Sequence, residues 1–95
     1  MARYELSQAA DADLERLYIF GIRNFGEGLA DQYYDGLISR FQQIADMPKL
    51  YPAAQHVTIE CRRSVYGAHS IYYEIKETSV VIVRILGREN PETAL

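Results

Sequence analysis

Side chains that could do chemistry are few in this chain and unevenly placed. His56, His69 and Cys61 are its only histidines and its only cysteine. A metal centre needs several His, Cys or carboxylate ligands at workable spacing. These three are scattered over a loop and strands, so no metal is expected. No glycine-rich loop opens a helix to cradle phosphates, and no Gly-x-Ser-x-Gly elbow presents a nucleophile. The residues thus imply no cofactor. Cys61 has no histidine beside it and reads as a small core residue. His69, at the start of a strand, has no assembled acid–base partner and reads as a hydrogen-bonding residue and a candidate binding contact.

Arginines remain. The chain of 95 residues has a net charge of −3, which argues against a broad basic face for nucleic acid. Residues 1–48 carry four basic and eight acidic side chains, whereas residues 49–95 carry six and five. Four of those six are Arg62, Arg63, Arg84 and Arg88, in or beside the C-terminal strands. A local positive patch on an acidic protein suits an acidic protein partner. Arg62 and Arg63 are adjacent in a strand and must point to opposite faces. Arg84 interrupts an apolar strand, where a guanidinium needs a carboxylate or carbonyl partner from the domain or from a bound protein. The sequence reading places it at the functional surface.

The elements that position these residues follow from periodicity. Arg3 to Leu6 alternates polar and apolar residues, as a short strand does. Ser7 is a good helix N-cap, and Asp11, Asp13 and Glu15 sit in the early turns, where the helix dipole favours negative charge. Ala10, Leu14, Leu17, Tyr18, Gly21 and Phe25 form a helical stripe. Ile19, Phe20 and Ile22 lie partly off it, giving this helix more apolar surface than one-sided burial needs. Gly26 suits a left-handed cap. A second helix from Glu27 to Met47 buries Ala30, Tyr34, Leu37, Ile38, Phe41, Ile44 and Ala45, and Pro48 ends it. So short a connection makes the pair an antiparallel hairpin.

Lys49 to Glu60 has no clear period and reads as an irregular crossing segment. The period then becomes two: Arg62–Val65, His69–Ile75 and Val80–Leu86 form a meander. Ile71, Tyr73 and Ile75 share one face; Ser70, Tyr72 and Glu74 share the other, so one of the two tyrosines is expected in the core. Val80 to Val83 is apolar on both faces, as a central strand is. The expected fold is one α+β domain over residues 1–95, ordered β-α-α-β-β-β, with the hairpin on one sheet face. No long apolar run spans a bilayer, and no basic segment followed by an apolar stretch opens the chain. With a single cysteine, this points to a cytoplasmic protein.

Taken in order, these pieces resemble the ParE branch of the RelE/ParE toxin superfamily. The carriers are the strand before Ser7, Asp13-Leu14, the Tyr33–Phe41 stretch, Arg62/Arg63, HSIYYEI (69–75) and VVIVRILGREN (80–90). The resemblance implies the same helical hairpin over an antiparallel sheet. It also implies a toxin of a type II toxin–antitoxin pair that binds and inhibits DNA gyrase and is silenced by a ParD-type antitoxin. RelE-like relatives instead cleave messenger RNA on the ribosome, with basic and Tyr or His side chains on the sheet and tail. Here Ser70 stands where a RelE-like arginine would be, Gly87 stands where some nuclease relatives place His, and the tail beyond Arg88 has no Tyr or Lys. The expectation is a binding protein, not an enzyme. Arg62, Arg63, His69, Arg84 and Arg88 are the candidate contacts to antitoxin or target. The alternatives are a RelE-like nuclease and a member that binds antitoxin without toxicity.

Overall fold

Residues 3–54 and 60–87 are described by a computed structural model. Along them the chain runs β1 (Tyr4–Leu6), α1 (Gln8–Phe25), α2 (Glu27–Asp46), β2 (Cys61–Tyr66), β3 (His69–Ile75) and β4 (Val80–Leu86). The expected element order is the observed one. Ser7 caps α1 as its sequence position suggests: its hydroxyl accepts from Ala10 N–H at 3.0 Å and donates to the Val83 carbonyl at 2.8 Å. The cap therefore also pins the helix start to β4. Gly26 alone joins the helices, closing α1 through its N–H to the Ile22 carbonyl and opening α2 through its own carbonyl to Ala30 N–H. Its φ of 91° and ψ of 161° correct the expected left-handed cap. An extended residue with positive φ, open only to glycine, turns the chain from one helix directly into the next.

The sheet order is β1-β4-β3-β2. β2, β3 and β4 form the expected antiparallel meander, and β1 adds to β4 in parallel, making the sheet mixed. β4 is thus a central strand, as its apolar run requires. Its register with β3 slips between Tyr72 and Tyr73, which face Arg84 and Ile82 respectively. Val83 is the extra residue of this bulge, and a bulge bends and twists its strand. β1 reaches only Val80 to Ile82, so the later half of β4 has no strand on that side.

The hairpin packs on one face of the sheet. Leu14, Leu37, Phe41 and Ile44 meet Ile71, Tyr73, Val80, Ile82 and Ile85, all nearly or fully buried. Burial of each such side chain stabilises the fold by about 1.5–3 kcal/mol. Tyr73 keeps its hydroxyl satisfied inside this core by donating to the Pro48 carbonyl at 2.6 Å; burial pushes its pKa up to about 12. The opposite face is not bare. Tyr72, Cys61, Leu86 and Ala54 form a second buried cluster. Both tyrosines are therefore buried, one on each face, where alternation alone implied one. Phe25 departs from the predicted stripe and is exposed at the hairpin tip with Phe20 and Leu29. No helix among the described residues is long and apolar enough to cross a membrane.

Candidate functional site

Arg84 finds its carboxylate within the domain. Its Nε and a terminal nitrogen donate to the two Asp13 oxygens at 2.7 and 3.0 Å, a bidentate fork. Asp13 also accepts from Ile85 N–H at 3.0 Å and from Arg16. The carboxylate therefore serves the stretch of β4 that β1 leaves unpaired, and the bulge lets Arg84 reach it. The Asp13 side chain is 1% exposed and that of Arg84 18%. Burial alone would push this carboxyl up; the hydrogen bonds from Arg84 and Ile85 N–H, with the charges of Arg84 and Arg16, outweigh it and hold the carboxyl below its usual value. The sequence reading put Arg84 at the functional surface; the structure commits its guanidinium to this internal pair.

A second network holds the β2–β3 turn. Gly67, with φ of 55°, occupies the first position of the two-residue loop, as the mirror-type hairpin turns require. Tyr33 of α2 lies over it. Its hydroxyl sits 3.0 Å from the Tyr66 carbonyl, 3.2 Å from Ala68 N and 2.7 Å from His69 Nδ1. Its ring packs against those of Tyr66 and His69. Burial pushes the Tyr33 phenol up and the His69 imidazole down, so both are neutral at pH 7. Next to this clamp, Arg40 donates to Ser64 Oγ and the Val65 carbonyl, each at 2.8 Å, and lies over the Tyr51 and Tyr66 rings. It seals the outer edge of β2.

Arg62 and Arg63 do point to opposite faces. Arg62 pairs in register with Tyr73 on the helix side and donates to the Tyr51 carbonyl at 2.6 Å. Arg63 pairs with Tyr72 and is exposed. Arg88 lies outside the described residues. The structure therefore does not gather the described candidates into one site: of them only His69 borders an open groove in the surface.

That groove, of about 1400 Å³, lies between α1, the start of α2 and the turn end of the sheet. Leu17, Phe20, Ala30, Tyr33 and Ile85 line its apolar part; Arg16 and Arg23 supply its positive charge. Small-molecule pockets usually hold about 300–1,000 Å³, so this one suits a peptide segment. The Arg16 side chain is 64% exposed, with Phe20, Phe25 and Leu29 extending apolar surface outward from the groove. The other side of the hairpin is acidic, with Asp11, Glu15, Asp31 and Asp35 around Tyr18 and Tyr34. Tyr18 donates to Asp31 there at 2.5 Å, and that hydrogen bond raises its pKa to about 12. Among the described residues no cluster of His, Cys, Asp or Glu is placed to hold a metal.

Residues 4–91 match the family described as "ParE toxin of type II toxin-antitoxin system, parDE". The chain belongs to the ParE toxin family. Two relatives called Toxin ParE1 are similar along most of their length: that of Caulobacter vibrioides is 28% identical and that of Mycobacterium tuberculosis 29%, each covering 90% of this chain and 88% of the relative. A solved chain from "Chromosomal ParDE TA system from P. aeruginosa" shares the fold, with a TM-score of 0.79 at 16% identity over 94% of this chain and 98% of that one. For a ParE-family chain the groove is the feature that sequence reasoning missed. Arg16, Arg23, Tyr33 and Asp13 all belong to it. A signal existed for two of them: Asp13 lies three residues after Ala10 and four before Leu17, on the buried stripe, and Tyr33 is in the same relation to Ala30 and Leu37 on α2.

Proposed function

We propose that this ParE-family toxin acts by binding DNA gyrase and stalling it, and that a ParD-type antitoxin, the product of the adjacent reading frame, silences it by seating a segment in the groove. The observation that carries the antitoxin site is the groove itself, apolar along α1 and α2, positive at Arg16 and Arg23, and large enough for an amphipathic helix. Family membership supports the toxin role. The antitoxin segment is expected to set apolar side chains on Leu17, Phe20 and Leu29 and carboxylates near Arg16 and Arg23, folding as it binds. His69 contributes from the sheet side. Of the other expected contacts, Arg63 is exposed, with no side-chain hydrogen bond or ion pair among the described residues, and is assigned to target or antitoxin contact. Arg62 and Arg84 are assigned to holding the fold, since each is bonded internally. Arg88 stays in the proposal on sequence grounds alone.

Binding rather than catalysis is the reading the chemistry favours. Among the described residues Tyr33 and His69 are the hydrogen-bonded acid–base pair beside the groove, and the Tyr33 hydroxyl is occupied with the backbone of the turn. In cells, expression without antitoxin is expected to halt replication and induce DNA-damage signalling while protein synthesis continues. Rapid loss of translation with cleaved messenger RNA would overturn the proposal in favour of a nuclease.

A further inference from the structure

The clamp over the β2–β3 turn fixes where one proton must be. Tyr33 Oη has three neighbours: the Tyr66 carbonyl, Ala68 N–H and His69 Nδ1. A phenol donates one hydrogen bond and accepts two. Ala68 N–H can only donate, and the Tyr66 carbonyl can only accept. All three contacts are hydrogen bonds in one arrangement alone: the phenol donates to Tyr66 O, and His69 donates from a protonated Nδ1. The neutral imidazole then has no proton on Nε2, which becomes a hydrogen-bond acceptor.

Nε2 also has access. Among the described residues no hydrogen bond is made to it, yet no buried side-chain nitrogen or oxygen there lacks a partner. The atom therefore has solvent access, and His69 is one of the residues that line the groove. Beside it stands Gly87, where an added Cβ would be 3.8 Å from Nε2, so Gly87 itself places no side chain against this edge of the ring.

We propose that His69 Nε2 reads the antitoxin: the segment seated in the groove places a hydrogen-bond donor opposite this acceptor, and protonation of His69 weakens the complex. This rests on the groove being the antitoxin site. Among the described residues, the charged and titratable groups that line the groove with it are Asp13, Arg16, Tyr18 and Arg23 from α1, Tyr33 from α2 and Tyr66 from β2. Asp13 is already engaged by Arg84 and Arg16, so among the described lining residues the net charge is positive and opposes a further proton. Burial acts in the same direction. A partner donor that requires the bare Nε2 depresses the histidine's pKa further in the complex. Affinity is then full above the free protein's value and falls as pH drops through it, by at most about tenfold per pH unit.

The test uses the whole chain labelled with ¹⁵N at histidine and the purified product of the adjacent reading frame as probe. Imidazole ¹H–¹⁵N spectra of the free protein at about pH 8 are expected to show the Nδ1–H form for His69; the Nε2–H form overturns the inference. Dissociation constants for the wild type are expected to rise severalfold as pH falls from about 8 to 5, and constants that do not change overturn the inference. In His69→Gln, which keeps an acceptor but does not titrate, the ratio of the two constants should fall to about one, while His56→Gln keeps the wild-type ratio. The same pH ratio in wild type and His69→Gln overturns the inference and leaves the groove reading standing. Binding that ignores Leu17→Glu and Phe20→Glu overturns the groove reading and, with it, the inference.

Discussion

Replacing Asp13 by Asn is expected to cost this fold about 3 kcal/mol. The substitution keeps the shape and one oxygen for Ile85 N–H but removes the charge that faces Arg84. Losing one partner of a buried pair costs about 3–5 kcal/mol, because the remaining charge is left uncompensated. The lower end applies here, since the Arg84 side chain is 18% exposed and Arg16 is largely in solvent. For a domain this size, total stability is on the order of 5–10 kcal/mol, so the loss is large. In urea, with a slope of about 1 kcal/mol per molar, the midpoint should drop by roughly 3 M. Asp13→Leu should lose a further 1–2 kcal/mol or so, because Ile85 N–H then has no acceptor. Adding Arg84→Met to Asp13→Leu should recover part of the loss, giving a clear coupling in a double-mutant cycle. The pH dependence has a definite sign. The folded-state carboxyl lies below its usual value of 3.8, so its contribution is complete above the unfolded value and disappears as pH falls through the folded one. Asp13→Asn should therefore lose the part of the acid-side decline that Asp13 contributes, and so show a shallower one than the wild type. A loss below about 1 kcal/mol with no coupling to Arg84 is what an exposed pair would give, and it would refute the reasoning.

Three other outcomes are expected. Tyr33→Phe removes the hydroxyl shared by Tyr66 O, Ala68 N–H and His69; it should lower stability by about 1–3 kcal/mol and speed hydrogen exchange at Ala68, and unchanged exchange there would count against the clamp. Gly36→Ala would stabilise an isolated helix by about 1 kcal/mol, but here the new Cβ would fall 1.6 Å from the Tyr66 hydroxyl. A lowered melting temperature is expected, and a raised one would contradict the packing. Phe20→Ser, at a side chain 61% exposed, should leave the melting temperature within a few degrees yet weaken capture of the ParD-type partner at least tenfold, corresponding to about 1.4 kcal/mol. Titration calorimetry would show otherwise if Phe20 lies outside the interface.

The order and type of every described element were legible in the sequence because each depends on local rules: Ser7 as a cap, the apolar stripes of α1 and α2, the break at Pro48, the alternation from residue 62 onward. What alternation could not supply was the bulge at Val83. One inserted residue changes which side chains share a face, and it brings Arg84 to Asp13 within the domain. Tyr72 escaped for a related reason: a period of two says that faces differ, not that one is open. The site was harder still to read. Arginines attract attention in a sequence because their charge is visible, but three of the candidates were spread over different surfaces by strand pairing, and Arg88 lies beyond the described residues. The groove arises from residues 13 to 33 meeting residues 66 to 87, and only His69 among the described candidates is placed on it.

The most direct test of the central claim is a supercoiling and cleavage assay with purified gyrase. Adding the toxin to gyrase, plasmid and ATP should stop supercoiling and accumulate double-strand-cleaved plasmid once the reaction is quenched. Adding the ParD-type partner first should prevent both effects. Undisturbed supercoiling with no cleaved plasmid, at toxin concentrations well above that of gyrase, would contradict the account.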